Sequence, residues 1–202
     1  MLKAKNNLII FTGPSGVGKG TIVKQVFAEL EDIEFSVSCT TREKRPSEEE
    51  GKNYFFKTNE EFEKMIENDE LLEWAEFVGN KYGTPKKFVE ETLAAGNDVF
   101  LEIEVQGALQ VMKKFPQAIS IFLVPPRFED LEARLRQRGT ESEEVLQKRL
   151  AKAREEMKHI DEFNYVVTND DIDKAVESVK ALILQARVDF SGELNGLLNG
   201  AG

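Results

Sequence analysis

Residues 8–21 read LIIFTGPSGVGKGT, and this stretch organises the chain. A short apolar run stops at Gly13, a glycine-rich turn follows, and Lys19 opens a segment whose apolar residues recur at helical spacing. Gly13, Gly18 and Lys19 satisfy the pattern G-x-x-x-x-G-K, in which backbone N–H groups wrap a phosphate and the following helix adds the positive end of its dipole. We therefore expect a strand, a phosphate-binding loop and a helix. The alternative is a strand–turn–helix whose glycines serve backbone geometry alone.

The residue after Lys19 departs from the strict form of this pattern. Many such loops have Ser or Thr there to bind Mg²⁺ through its hydroxyl, whereas this chain has Gly20 and places Thr21 one position late. A G-K-G-T ending is typical of nucleoside monophosphate kinases. We therefore expect Mg²⁺ to be held mainly by phosphates and water, with Thr21 or an acidic side chain as the protein ligand.

The overall composition argues against several functional classes. Of the 202 residues, 41% are hydrophobic and 32% are charged, as in one soluble globular domain with inserted lobes. A net charge of −10 argues against nucleic-acid binding, which favours a basic surface. No apolar run approaches the ~18 residues of a membrane span, and the N-terminal sequence lacks a signal-peptide pattern, so we expect a cytoplasmic protein. The single cysteine, Cys39, excludes an intrachain disulfide.

Strand-like and helical segments alternate along the chain, which predicts an α/β fold with a parallel sheet core flanked by helices. The residue pattern predicts strands at residues 35–40, 99–105, 118–124 and 165–167. Helix starts are predicted at Thr58 with Glu61, at Thr84-Pro85, and at Thr140 with Glu143. The closing helix is predicted to bury Ile172, Ala175, Val176, Val179, Leu182 and Ile183.

Two segments interrupt this alternation. Residues 35–85 are rich in strands and loops and are expected to form an inserted lobe, in which the glutamates at 48–50 form a solvated loop surface. Residues 127–157 are helical, rich in arginine and broken at Gly139-Thr140, and are expected to form a second insertion. The expected core comprises residues 6–34, 86–126 and 158–187, followed by a C-terminal tail at 188–202.

Two glutamates lie in the otherwise apolar segment 99–105. Glu102 and Glu104 are two positions apart, so in a strand they point to the same face. Burying both carboxylates without a partner would cost several kcal/mol. Magnesium or N–H groups of a ligand are the expected partners, and a solvent-facing side of the strand is the alternative.

Several arginines lie in the helical segment that starts near residue 128. On one helix Arg127, Arg134 and Arg138 fall within about 40° of each other at ~100° per residue. Arg149 follows on the next helix, and converging guanidinium groups beside a phosphate loop suit phosphoryl transfer, which develops negative charge on the transferred group. The alternative for each arginine is a solvated helix face. Three other cations in this segment are assigned to solvent: Arg136, Lys148 and Lys152.

Seven short motifs occur in an order and spacing that resemble the guanylate kinase family over residues 6–187. They are Gly13-Pro14-Ser15-Gly16-Val17-Gly18-Lys19, Ser36-Val37-Ser38-Cys39-Thr40-Thr41-Arg42 with Arg45, Gly51-Lys52-Asn53-Tyr54 with Phe56, Glu73-Trp74-Ala75, Gly79-Asn80 with Tyr82-Gly83-Thr84, Glu102-Ile103-Glu104 with Gln106-Gly107, and Arg138-Gly139-Thr140. The phosphate loop alone indicates only a very large superfamily, whereas its combination with the other motifs is specific. Many members of the family have Asp-x-Asp where this chain has Glu102 and Glu104.

The resemblance implies a GMP-binding role for residues 35–85 and assigns positions to the acceptor nucleotide. The positions that match the phosphate site of GMP are Arg42, Arg45, Tyr54 and Tyr82. Those that match the guanine pocket are Ser38, Glu73, Thr84 and Glu104. A carboxylate can accept from guanine N1–H and N2–H₂ together, whereas adenine would present it with a lone pair at N1.

The resemblance also implies ATP as the phosphoryl donor, Mg²⁺ as the cofactor, and the transfer of phosphate from ATP to GMP or dGMP. The positions that match the ATP site are Gly13, Pro14, Ser15, Gly16, Val17, Gly18, Lys19, Gly20, Thr21 and Asn169. Arg134, Arg138 and Arg149 match a mobile lid and, with Lys19, the catalytic positions. Glu102 and Thr21 are the candidates for direct contact with Mg²⁺. A kinase for another nucleoside monophosphate and a non-catalytic binding module are the alternatives.

Overall fold

The computed structural model describes residues 7–137 and 142–187. In chain order the elements are β1 (Leu8–Thr12), α1 (Lys19–Glu29), β2 (Ile33–Phe35), β3 (Cys39–Thr40), β4 (Phe55–Phe56), α2 (Asn59–Glu67), β5 (Leu71–Phe77), β6 (Asn80–Pro85), α3 (Lys86–Ala95), β7 (Asp98–Glu102), α4 (Val105–Lys114), β8 (Ile119–Val124), α5 (Phe128–Gln137), α6 (Glu143–Met157), a 3₁₀ turn (Ile160–Glu162), β9 (Tyr165–Thr168) and α7 (Ile172–Arg187).

The central sheet has five strands in the spatial order β2-β7-β1-β8-β9, and every pairing is parallel. All five residues of β1 are buried. Its alternate side chains, such as Ile9 and Ile10, belong to different apolar clusters on the two faces of the sheet. Strands covered on both faces read as continuous apolar runs, which is why the sequence predicts this sheet. The predicted α/β class with a parallel core is confirmed.

The carboxyl ends of these strands meet at one edge, where open α/β sheets bind their ligands. At this edge β7 ends at Glu102, and Glu104 is the residue that precedes α4. The prediction of a strand through residue 105 is therefore wrong, and Glu102 and Glu104 do not share a strand. Val105, Ala108 and Val111 are buried at helical spacing, and this helical pattern prevails over the strand-like alternation before it.

A second sheet has the order β4-β3-β6-β5 and covers a small core formed by Cys39, Phe62 and Leu71. The predicted strand at 35–40 is wrong as a single strand, since Phe35 ends β2 in the central sheet and Cys39 begins β3 in the second. The capping box of Thr58 and Glu61 is confirmed at the start of α2.

Two of the remaining helices begin at positions other than those predicted, and one residue of α7 is more exposed than predicted. Thr84 lies in β6 rather than capping α3, which follows Pro85 and ends, as predicted, at Gly96. The N-cap of α6 is Ser142, so this helix starts later than the sequence predicted. Ile172 is 41% exposed rather than buried. Ala175, Val176, Val179 and Ile183 are buried in α7, and Leu182 is partly buried.

Some predictions concern residues outside the described ranges: Arg138, Gly139, Thr140 and the tail at 188–202. Within the described residues, no helix has the length and apolar character needed to cross a membrane.

Candidate active site

The loop between β1 and α1 has the geometry of the sequence motif. Gly13 has φ 151°, and a Cβ there would lie 2.3 Å from the carbonyl oxygen of Leu123. Gly18 has φ 106°, and a Cβ there would lie 2.6 Å from Asn169 Nδ2. Both positions therefore need glycine, because any side chain would collide with the neighbouring strand ends. Lys19 is the first residue of α1, and its Nζ donates to the carbonyl of Gly13 at 2.6 Å.

The candidate magnesium residues lie close to this lysine or on the same helix. Glu102 is half-buried; burial raises the pKa of its carboxyl, while the Lys19 ammonium lowers it and Glu104 raises it. Thr21 is exposed in the first turn of α1. A Cβ at Gly20 would meet nothing within 4 Å, so this glycine is not required by packing.

A cavity that we call the central cavity opens between the loop and the second sheet. Its lining residues are Lys19, Ser38, Tyr54, Glu73, Ala75, Tyr82, Glu102, Ile103 and Glu104. Glu73 is 4% exposed, and its Oε1 accepts a 2.6 Å hydrogen bond from the hydroxyl of Thr84. Burial raises the pKa of Glu73 to about 7, against the effects of Thr84 and Lys114, which lower it. The structure therefore places a buried carboxylate and the loop lysine around one space.

A second cavity shares Tyr54, Tyr82 and Glu104 with the central cavity and contains the arginines predicted to hold a phosphate. The guanidinium of Arg42 lies 5.4 Å from the centre of the Tyr54 ring. Arg45 also lines this cavity, with most of its side chain exposed.

The prediction that the glutamates at 48–50 form a solvated loop surface is wrong for Glu48. Its side chain is only 12% exposed, and its Oε1 accepts from the Arg42 guanidinium at 2.7 Å. Its Oε2 accepts from the backbone N–H of Arg45 at 2.8 Å. Because the carboxylate binds the guanidinium of Arg42 and the backbone of Arg45, it belongs to the cluster predicted to hold a phosphate and lowers the net positive charge of that cluster. Glu49 and Glu50 are exposed, as predicted.

Two of the predicted arginines reach the phosphate loop. Arg134 donates to the carbonyl of Val17 at 3.2 Å and to that of Asn169 at 3.0 Å. Arg149 donates to the hydroxyl of Ser15 at 2.7 Å. Helices α5 and α6 thus deliver guanidinium groups to the same loop from different sides.

The other cations of residues 127–157 agree with the prediction only in part. Arg127 does not converge on the loop, because it pairs with Asp130 on the surface. Arg136 pairs with Glu132 and Glu143, and Lys148 pairs with Glu144, all partly or fully exposed, as predicted. Lys152 was assigned to solvent, but its Nζ lies 3.9 Å from the centre of the Phe77 ring and donates to the carbonyl of Glu76 at 3.3 Å. Helix α6 therefore contacts the second sheet as well as the loop.

Asn169 follows β9 and contacts the loop next to Arg134. Its Nδ2 donates to the carbonyl of Val17 at 2.7 Å, whereas its Oδ1 is buried without a hydrogen-bond partner among the described residues. The groove beside it is lined by Gly16, Gly18, Arg134, Gln137, Asn169, Asp170 and Ile172. The exposed Ile172 adds an apolar surface next to an unsatisfied acceptor, a combination that suits a heterocyclic base.

Glu156 is a buried acidic residue that the sequence did not single out. It lies on α6, is 5% exposed, and its Oε2 has no hydrogen-bond partner in the described residues. Burial and the charge of Glu104 raise its pKa to about 7, while Lys19, Lys152 and His159 lower it. The signal was present, since Glu156 follows the buried Ala153 by three positions on the inner face of the helix.

Glu156→Gln is expected to stabilise the protein more at high pH than at low pH. The carboxyl ionises near pH 4.5 in an unfolded chain but only near 7 in the folded protein, so wild-type stability falls as the pH rises through this window. Relative to low pH, the free energy of unfolding of the wild type is lower by about 3 kcal/mol above pH 7. Urea unfolding should show a gain from Glu156→Gln that is about 2 kcal/mol larger at pH 8 than at pH 5. Glu155→Gln, at the exposed neighbouring position, is the control. A gain in stability from Glu156→Gln that does not vary with pH would contradict the raised pKa of Glu156.

Comparison with known proteins assigns the family. The guanylate kinase family profile matches residues 5–186. Guanylate kinase of Desulfitobacterium hafniense is 54% identical over 177 residues, which cover 88% of each chain. Guanylate kinase of Caldanaerobacter subterraneus is 50% identical over 195 residues, which cover 96% of this chain and 95% of the relative. The crystal structure of guanylate kinase from Anaplasma phagocytophilum has a TM-score of 0.76 at 32% identity, covering 93% of this chain and 89% of that one. This chain belongs to the guanylate kinase family.

Proposed function

We propose that this chain catalyses the reversible transfer of the ATP γ-phosphoryl group to GMP or dGMP, giving ADP and GDP or dGDP, in purine nucleotide metabolism. As a member of the guanylate kinase family it is a nucleoside monophosphate kinase. One observation carries the substrate assignment: Glu73 and Lys19 line the same cavity. A buried carboxylate suited to guanine and a cation suited to phosphate therefore line one space.

The acceptor nucleotide is bound at two points. Glu73 accepts from guanine N1–H and N2–H₂, Thr84 orients that carboxylate, and Ser38 and Glu104 complete the base pocket. The phosphate of GMP is bound by Arg42, Arg45, Tyr54 and Tyr82, since guanidinium forks and phenol hydroxyls suit a dianionic monoester. The arrangement of these side chains around two connected cavities supports this assignment.

The donor nucleotide is bound by the phosphate loop, residues 13–21, with its adenine in the groove beside Asn169. Arg134, Arg149 and Arg138 (the last outside the described residues) stabilise the charge that develops on the transferred group. The reaction is an in-line displacement without a covalent enzyme intermediate, so positioning and the exclusion of water are the main tasks of the protein.

Closure of two insertions excludes the water. Residues 35–85 form the GMP-binding lobe and residues 127–157 form the lid, and both close on the core of residues 6–34, 86–126 and 158–187. Contacts of α6 with Ser15 on one side and with Glu76 and Phe77 on the other support this assignment.

Mg²⁺ is the proposed cofactor, and the residues present fit a cation bound mainly by phosphates and water. Within the described residues, no group of three or more His, Cys, Asp or Glu side chains could hold a metal ion. Glu102 beside Lys19 supplies one carboxylate, and Thr21 is a second candidate, which suits a cation that keeps several waters. With Glu102 and Thr21 as its protein ligands, the ion would supply positive charge to the phosphates of ATP.

The small nucleotides are the proposed partners, and the cytoplasm is the proposed location. A net charge of −10 supports the exclusion of nucleic acid as a partner.

A panel of acceptors tests the proposed function. With ATP and Mg²⁺, steady-state ADP formation should require GMP or dGMP and should be at least about 100-fold slower with AMP, CMP, UMP or dTMP. Preference for another acceptor would indicate a different monophosphate kinase. Absence of turnover with every acceptor would indicate a non-catalytic module.

A further inference from the structure

Helix α4 holds the backbone of β5 on both sides of Glu73. The Nε2 of Gln110 donates to the carbonyl of Trp74 at 2.7 Å, and the N–H of Trp74 points back to Gln110 Oε1 at 3.4 Å. Lys114 donates to the carbonyl of Leu72 at 2.5 Å. The residues immediately before and after Glu73 are therefore both bound to one helix of the core.

The same helix also limits the space for the Glu73 side chain. A Cβ at Gly107 would lie 2.0 Å from Glu73 Oε2 and 2.7 Å from Glu73 Cδ, so only glycine leaves room for the carboxylate in this position. Gly107, Gln110 and Lys114 are three and four positions apart and thus share one face of α4. Lys114 adds a positive charge that favours the ionised form of Glu73.

Helix α4 is itself fixed to the phosphate-binding edge of the central sheet. Ile103, next to the start of the helix, donates its N–H to the carbonyl of Phe11 at 3.2 Å. Its carbonyl accepts a 2.7 Å hydrogen bond from the hydroxyl of Thr12. The chain of contacts from β1 through α4 to Glu73 therefore relates the carboxylate to the loop that carries Lys19.

We propose that Gly107, Gln110 and Lys114 are positioning residues that set the guanine specificity of this enzyme by fixing Glu73 relative to the phosphate loop. The inference rests on the proposed function, in which Glu73 binds guanine. Guanine selection is then a property of a core helix as well as of the GMP-binding lobe.

The first variant is Gly107→Ala. Alanine is a better helix former than glycine, so the helix itself gains stability, while the new methyl group displaces the Glu73 carboxylate. We expect a KM for GMP at least about ten-fold higher, with the KM for ATP and the kcat within about two-fold of wild type, because only acceptor binding depends on that carboxylate.

The second variant, Gln110→Ala, tests the proposal even if Gly107→Ala does not fold. It frees the Trp74 backbone without adding volume, and the same rise in KM for GMP is expected. Val111→Ala is the matched control, because it creates a cavity at a buried position of the same helix without removing a hydrogen bond to the backbone of β5. Thermal unfolding of each variant reports any general loss of stability.

A double-mutant cycle separates positioning from a general structural effect. Glu73→Asp shortens the side chain by one methylene and relieves its collision with the methyl group that Gly107→Ala introduces. Gly107→Ala should therefore raise the KM for GMP much less in the Glu73→Asp background than in wild type. Additive effects in this cycle, or an equal rise in Val111→Ala, would overturn the inference.

Two further outcomes distinguish this inference from the proposed function. Unchanged KM values in Gly107→Ala and Gln110→Ala would overturn the inference while leaving the proposed function intact. If Glu73→Gln itself left the KM for GMP unchanged, the assignment of the guanine pocket would be wrong.

Discussion

Lys19→Met is expected to lower kcat by roughly 1,000-fold or more, in line with the loss of one preorganised charge at a phosphoryl-transfer site. Methionine preserves the length and packing of the side chain while removing the ammonium group. The glycine geometry at Gly13 and Gly18 is unaffected by the substitution, although the hydrogen bond from Lys19 to the carbonyl of Gly13 is lost. Steady-state ADP formation with saturating ATP, Mg²⁺ and GMP measures the effect.

Lys24→Met is the matched control, since Lys24 is exposed on the same helix. This control should retain wild-type kcat, and both variants should unfold near the wild-type temperature. Wild-type turnover in Lys19→Met would refute the catalytic role of the loop.

Glu73→Gln is expected to raise the KM for GMP about 100-fold and to leave the KM for ATP nearly unchanged. The amide replaces one carboxylate oxygen by an NH₂ group, which meets the N–H donors of guanine with another donor. The loss of a charge-assisted pair in a buried pocket corresponds to about 2–3 kcal/mol. Initial rates at varied GMP and varied ATP separate the two KM values.

The pH dependence of the same KM gives a second measurement. The pKa of Glu73 is about 7, so its carboxyl gains a proton as the pH falls through 7 and can no longer accept from both donor groups of guanine. The wild-type KM for GMP should therefore rise below pH 7. Glu73→Gln should lose the part of this dependence that comes from Glu73, and Glu76→Gln, exposed on the same strand, should behave as wild type. An identical profile in wild type and Glu73→Gln would exclude Glu73 as the titrating group.

Local sequence pattern predicted the features that are local in the structure. The phosphate loop depends on glycines within one turn, and the apolar runs of β1 and β8 reflect strands covered on both faces. The prediction of one strand at residues 99–105 was wrong because a short apolar alternation and the first turn of α4 overlap in sequence. Periodicity alone cannot distinguish a strand from a helix start over so few residues.

The features that the sequence did not predict depend on distant partners. Glu48 belongs to a run of three glutamates and differs from the other two only because the loop brings it back to Arg42. Gly107 matters because Glu73, far earlier in the chain, packs against it. Helical spacing predicted that Arg127 and Arg134 lie on the same helix face. Of the two, only Arg134 contacts the loop, whereas Arg127 pairs with Asp130.

The Glu48 carboxylate has a consequence for competition by cellular anions. Together with Arg42 and Arg45 it leaves a single net positive charge at the acceptor end of the site. A free anion such as chloride or inorganic phosphate meets an Arg42 guanidinium that is already paired with a carboxylate at 2.7 Å, and it has no second point of attachment. In the proposed function the phosphate of GMP is tethered to a base held by Glu73, so its effective local concentration would be far higher than that of a free ion. On the proposed function, the acceptor site would therefore discriminate by linkage as well as by charge.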